Sequence, residues 1–265
     1  MSRIVYALIT VLALTSCAES YNIQGSSSIS SLDGSKLYLK AFKDKELKNI
    51  DSCDVVHGKF RFAGLLDTVR MASLFMDDES IMPIVVEKGE IEIRLDNASQ
   101  KVSGTPLNDK LYEFITLHTQ LSNEMNELSH KQSQMLLEGI EEDIINRKLS
   151  VEAAIIAQRE DSLVTNFIVD NFENVLGPGV FMIMTSNYPY PVLTPQIEDI
   201  MSKAPKSFKE DSYVKEYYQV ANDIQARQNG LADEVPQEPI QPAQPAQPQI
   251  APDSLHAPLT NMPQK

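Results

Sequence analysis

"VSGTPLNDKL", Val102 to Leu111, is where the hydrophobic rhythm of the chain changes. Ahead of it, apolar residues alternate with polar ones. Behind it, they recur at steps of three and four. Thr105 is placed as a helix N-cap and Pro106 at the first helical position, where its missing N–H removes no hydrogen bond. The stretch therefore reads as the seam of an α+β protein: an antiparallel β-sandwich or open barrel over residues 21–105, then a helical region over 106–230.

The strand side rests on period two. "SKLYLKAF" puts Leu37, Leu39 and Ala41 on one face, and "GEIEIRLD" alternates Ile91, Ile93 and Leu95 with Glu92, Arg94 and Asp96. "RMASLFM" and "IMPIVVE" add apolar segments, and Pro83 points to an edge strand or a strand start. Turn signals at Asp33-Gly34, His57-Gly58 and Lys88-Gly89 separate about seven short strands. Gly58, Gly64, Gly89 and Gly104 are assigned to turn sites that need positive φ or close backbone approach. Phe60 and Phe62 are placed on opposite faces of their strand, and Asp51-Ser52 in a turn ahead of one.

On the helical side, Leu107, Leu111, Phe114, His118 and Leu121 begin a stripe that continues to Met135. It predicts one amphipathic helix of about 30 residues, roughly 45 Å long, loosened at Gly139. A second helix is expected from near Ser150, burying Ile155, Ile156, Leu163, Phe167 and Ile168 and stopping at Leu176-Gly177-Pro178-Gly179. Thr194-Pro195 repeats the cap-and-proline signal, and a last helix runs from about Phe208 to Gln228, closing on Gly230. From residue 231 to 265, Pro, Gln and Ala dominate with no apolar period, which predicts a disordered, polyproline-like tail.

The start of the chain carries a different signal. Arg3 precedes a short apolar run from Ile4 to Ala13, too short to span a bilayer. Leu14-Thr15-Ser16-Cys17 then resembles a bacterial lipobox, which implies a signal peptide over 1–16, an acylated Cys17, and a lipidated N-terminus over 17–20. Ala18 is not the aspartate of inner-membrane retention. The expected location is the cell envelope, lipid-anchored, with the outer membrane facing the periplasm preferred over the cell surface. The membrane is thus an expected partner through Cys17.

Composition narrows the rest. Thirty-seven acidic residues against 23 basic ones give a formal charge of −14, which disfavours nucleic acid and anionic headgroups as partners. Two cysteines and four scattered histidines present no metal-ligand spacing, so no metal and no cofactor is expected.

"YNIQG", "SKLYL", "IDSCDVVHGKFRFAG", "PIVVEKGEIEI" and "VSGTPLNDKL" follow one another in an order that resembles a domain of unknown function. That domain precedes a thioredoxin-like domain of the TlpA, ResA or AhpC/TSA type in Bacteroidota lipoproteins. The resemblance covers Tyr21 to Leu111, and "NFIVDNFENVLGPGVFMI" is similar to the helical connector of those proteins. It implies an envelope lipoprotein, but no Trp-Cys-x-x-Cys occurs and the chain has no Trp. No residue inherits the redox role.

Individual candidates are few. Cys53 reads as a half-buried, inert sheet residue, with His57 four positions on but not bound to approach it. His118 reads as a core histidine, and Glu141-Glu142-Asp143 as a solvated helix start. Tyr188 and Tyr190, on the proline-stiffened "SNYPYP", form a possible binding surface able to stack on sugars or peptides. No catalytic residue is assigned. The expected function is a non-catalytic, lipid-anchored binding or assembly module that meets another envelope protein. The alternative is an accessory to a separate thioredoxin-like oxidoreductase. The sequence leaves the oligomeric state open.

Overall fold

A computed structural model describes residues 19–43, 46–97 and 99–230. Within them the strands are β1 (Ser20–Ser27), β2 (Lys36–Lys43), β3 (Glu46–Asp54), β4 (Lys59–Leu65), β5 (Arg70–Met76), β6 (Glu79–Val86), β7 (Gly89–Leu95) and β8 (Gln100–Ser103). They form two four-stranded sheets, in the orders β4-β1-β7-β8 and β3-β2-β5-β6. The β region is therefore a sandwich. Alternation works as expected: Ile23, Leu37, Leu39, Leu74, Ile84, Ile91, Ile93 and Leu95 are fully buried, while the residues between them on β7 stay exposed.

Four expectations about the sandwich need correction. The sheets are not wholly antiparallel, because β1 pairs antiparallel with β4 but parallel with β7. Phe60 and Phe62 share a face, both buried, with ring centroids 6.1 Å apart at 73°; residues two apart on a strand point the same way. Asp51 and Ser52 lie inside β3 rather than in a turn, and the Asp51 carboxylate accepts from the Ser52 N–H at 2.8 Å. Gly64 is likewise within β4, opposite Tyr21, where an added Cβ would meet the Tyr21 hydroxyl at 2.7 Å.

The helices are α1 (Pro106–Leu137), α2 (Glu142–Asp170), α3 (Leu176–Thr185), α4 (Pro195–Lys203), the single turn α5 (Lys206–Lys209) and α6 (Ser212–Gln228). Helices α1 and α2 form a long hairpin turned at Gly139, φ 77°. Its far end carries a separate small core of Met135, Ile145 and Leu149, while the near end joins the main core with the sheets. The second helix starts eight residues before Ser150, as Glu142 opens it, and Ile155, expected on its buried side, is exposed.

Leu176-Gly177-Pro178-Gly179 opens α3 instead of ending α2. The first four N–H groups of a helix need no helical acceptor, so Pro178 is tolerated there. Gly177 lies against the Asn171 carbonyl and Gly179 against Met71 of β5, so α3 packs closely on the sandwich. Thr194 caps α4 by accepting from the Ile197 N–H at 3.2 Å. The final helical stretch is two elements, divided where Asp211 caps α6 by accepting from Tyr213 and Val214.

The joint between sandwich and helices is made by polar side chains. Strand β6 is an edge of its sheet, and α1 covers that edge. The Asn108 amide accepts from the Val85 N–H at 2.9 Å and donates to the Val85 C=O at 2.8 Å. One turn on, the Tyr112 hydroxyl donates to the Pro83 C=O at 2.9 Å. Four helical residues rise about 6 Å and two strand residues about 6.6 Å, so the spacings of the two elements match. Glu87, just past β6, accepts from the Leu107 and Asn108 N–H groups at 2.9 and 3.0 Å and thus caps the helix. Thr105 is the N-cap by position, but its hydroxyl accepts from the Asn108 amide instead of a backbone N–H. Gly104 completes the corner at φ 101°, where a Cβ would lie 2.6 Å from the Glu90 carbonyl oxygen.

Asn108→Ala leaves the buried Val85 N–H and C=O unpaired, and the expected cost is roughly 3 kcal/mol. At about 2–4 °C per kcal/mol, the melting temperature should fall by roughly 6–12 °C. Tyr112→Phe, which removes one hydrogen bond, should lower it by only about 2–4 °C. Circular-dichroism melts of the two variants check the order, and equal melting temperatures would refute it.

Candidate functional site

Three helices leave a cleft of about 490 Å³ between them. Helix α1 supplies Phe114, His118 and Ser122 at steps of four, which places them on one face. Helix α2 supplies Ala157, Glu160, Asp161 and Val164, and α3 supplies Val180, Ile183 and Met184. Ala157 is small, which opens the groove where the hairpin would otherwise close. Phe114 stacks on Phe167 with centroids 4.4 Å apart and forms the floor on the side of the sandwich.

His118 is the polar feature of that wall. It is half-buried, and its Nε2 lies 3.0 Å from a Glu160 carboxylate oxygen, an ion pair when the ring is protonated. Its ring also tilts over Phe114 at 5.8 Å. The apolar stripe on which it lies in the sequence is real, but its partner comes from α2. That pairing is absent from any local pattern.

The loop after α3 closes the other side. Tyr188 lines the cleft with Asn187, whereas Tyr190 points outside it and is 51% exposed. Of the two tyrosines read as one surface, Tyr188 alone lines this cleft. The loop is tethered by Tyr217 of α6, whose hydroxyl lies 3.1 Å from both the N–H and the C=O of Val192. Burial pushes the Tyr217 hydroxyl up to about 12, the Val192 backbone opposing that shift. From α4, the Gln196 amide donates to the Asp161 carbonyl and the Thr165 hydroxyl, each at 3.2 Å. The cleft therefore has walls fixed by helix packing and a loop pinned from behind.

Cys53 is half-buried on β3. Burial pushes its thiol up to about 11, with the neighbouring Asp51 and Asp54 adding to the shift and the Arg61 backbone opposing it. His57 stands in the following turn at φ 51°. Glu142 and Asp143 fall in the first turn of α2, where negative charge suits the helix dipole. Among the described residues no group of three or more acidic, histidine or cysteine side chains is arranged to hold a metal, and no helix is long and apolar enough to cross a membrane. Cys17 and the stretch 231–265 lie outside the described residues.

Residues 21–111 match the family model described as Domain of unknown function (DUF4369). The match spans the sandwich and the start of α1. It therefore includes Glu87, Asn108 and the corner at Gly104 that hold the helix to the sheet. No curated protein matches the chain. The family phrases "EKGEIEI" and "VSGTPLNDKL" thereby acquire a physical meaning, since Glu87 of the first and Asn108 of the second are the two halves of the joint.

The Cys53 environment has a measurable consequence. In a Cys17→Ser chain, alkylation of Cys53 by iodoacetamide should keep accelerating with pH up to about 11, because only the thiolate reacts. A rate that levels off near the ordinary thiol value of about 8.5 would show the thiol to be unshielded.

Proposed function

We propose that the protein is a lipid-anchored, non-catalytic binding module of the bacterial cell envelope. Its attachment point is Cys17, the cysteine that ends Leu14-Thr15-Ser16-Cys17 directly after a short apolar run. Its working surface is the helical region, held in a fixed orientation on the sandwich by Glu87 and Asn108. The observation that carries the reading is the cleft between α1, α2 and α3. Thr119, Ser122, Asn123 and Asn187 line it, and their side chains make no hydrogen bond to the described residues. Polar groups left uncommitted around a concave, aromatic-floored space are suited to holding a ligand.

Binding is favoured over thiol chemistry by the state of Cys53. Exchange needs an attacking thiolate and normally a second cysteine to resolve the mixed disulfide. The Cys53 thiol is held protonated at neutral pH by its burial, and acylation would consume Cys17.

Expression in a bacterial host with a clickable fatty acid tests the anchor. The native chain should be labelled and sediment with membranes, while Cys17→Ala should be unlabelled and remain in the soluble fraction. A single acyl chain binds membranes only marginally, so the several chains of an acylated cysteine are what stable sedimentation requires. Label retained by Cys17→Ala would contradict the assignment.

A further inference from the structure

We infer that the cleft between α1, α2 and α3 binds a neutral saccharide, with Tyr188 as the platform for the sugar ring. The inference rests on the reading of the protein as a binding module and names its ligand class.

Charge decides first. The cleft lining contains no Lys or Arg, and its only ionisable groups besides Tyr188 are His118, Glu160 and Asp161. An anionic ligand would meet two carboxylates without a permanent cation to offset them, in a chain whose formal charge is already −14. Glu160 is partnered by His118 at 3.0 Å, which leaves Asp161 at the exposed mouth as the one carboxylate with no ion-pair partner among the described residues. One such carboxylate is a poor match for a polyvalent cation. What remains is a neutral ligand.

The hydrogen-bonding inventory then selects a polyol. Thr119 and Ser122 offer hydroxyls, and Asn123 and Asn187 offer amides, each able to donate and accept. Gln196, also in the lining, spends its N–H donors on Asp161 and Thr165, so its amide oxygen is left as an acceptor. Vicinal hydroxyls, which both donate and accept, complement such a set. A peptide would offer one donor and one acceptor per residue along a strand or helix, and no unpaired backbone edge lines this cleft to receive it. The apolar component agrees: Tyr188, partly buried against the main core, lines the cleft together with Ile183 and Met184, and an aromatic ring suits the C–H side of a pyranose. A cavity of about 490 Å³ lies in the range that suits a ligand of one or two sugar units.

The full chain, purified in a non-glycosidic detergent, should be titrated calorimetrically with maltose, cellobiose and N,N′-diacetylchitobiose, and in parallel with spermidine and glucuronate. At least one neutral disaccharide should bind saturably, and the two charged probes should not. Tyr188→Ala should weaken that binding at least tenfold, while Tyr190→Ala, outside the cleft, should leave it unchanged. Asn123→Ala and Asn187→Ala alter exposed side chains and cannot disturb the core; each should weaken binding several-fold with an unaltered melting temperature. Binding of spermidine or glucuronate in place of the sugars, no saturable binding of any sugar, or sugar binding indifferent to Tyr188, Asn123 and Asn187 would overturn the inference. Membrane sedimentation that depends on Cys17 is read separately. If it persists while the titrations fail, the saccharide assignment alone falls; if it is lost, the anchored-module reading falls whatever the titrations give.

Discussion

The structure depends on one polar joint. Strand β6 ends its sheet with backbone groups that no further strand receives, and α1 receives them through Asn108 and Tyr112. Open sheet edges invite pairing with other chains, and covering them with a helix is one of the few remedies. Here the cover is chemically specific, because the amide of Asn108 reproduces the donor and acceptor of a neighbouring strand. Glu87 secures the same helix from its end, satisfying N–H groups that a helix cannot satisfy itself. Because Glu87 sits in the corner that passes the chain from one sheet to the other, the joint locks both sheets and the helix to a common frame.

From that frame the cleft follows. Helix α1 is continuous for 32 residues, so fixing its first turn fixes the position of Phe114, His118 and Ser122 two to four turns on. Helix α2 returns along it, bound by the pairs of Arg159 with Glu124 and Lys131 with Glu152. Helix α3 is set by the close approach of Gly179 to Met71, which seats it against the sandwich instead of the hairpin alone. The space left between the three helices is thus determined by packing at both ends.

Much of the architecture was legible in the sequence because apolar periodicity reports which face is buried. The alternation at Leu37, Leu39 and Ala41 and the change of rhythm at Thr105-Pro106 located the sheet and the first helix within a residue. What escaped was set by polar groups or by distant partners. Glu87 and Asn108 look like surface residues, since nothing local reveals that a carboxylate will be buried by a helix end 20 residues away. Leu176-Gly177-Pro178-Gly179 looked like a break because Gly and Pro interrupt helices in general, yet the first turn is where they are tolerated. Tyr188 lines the cleft and Tyr190 does not, a distinction set by how the loop lies on the helices and not by the loop sequence. The His118–Glu160 pair could not be found at all without the packing of α2 on α1.

The joint makes a claim about local stability that a single measurement addresses directly. Helix N-terminal amides ordinarily exchange fast, because they have no helical acceptor and the ends fray. Native-state hydrogen exchange followed by NMR should find the Leu107 and Asn108 amides protected to the same degree as Val85 and the sandwich core, all opening only in global unfolding. Exchange of Leu107 and Asn108 by local fraying, with β6 still protected, would show that Glu87 and Asn108 decorate the contact between helix and sheet and do not hold it together.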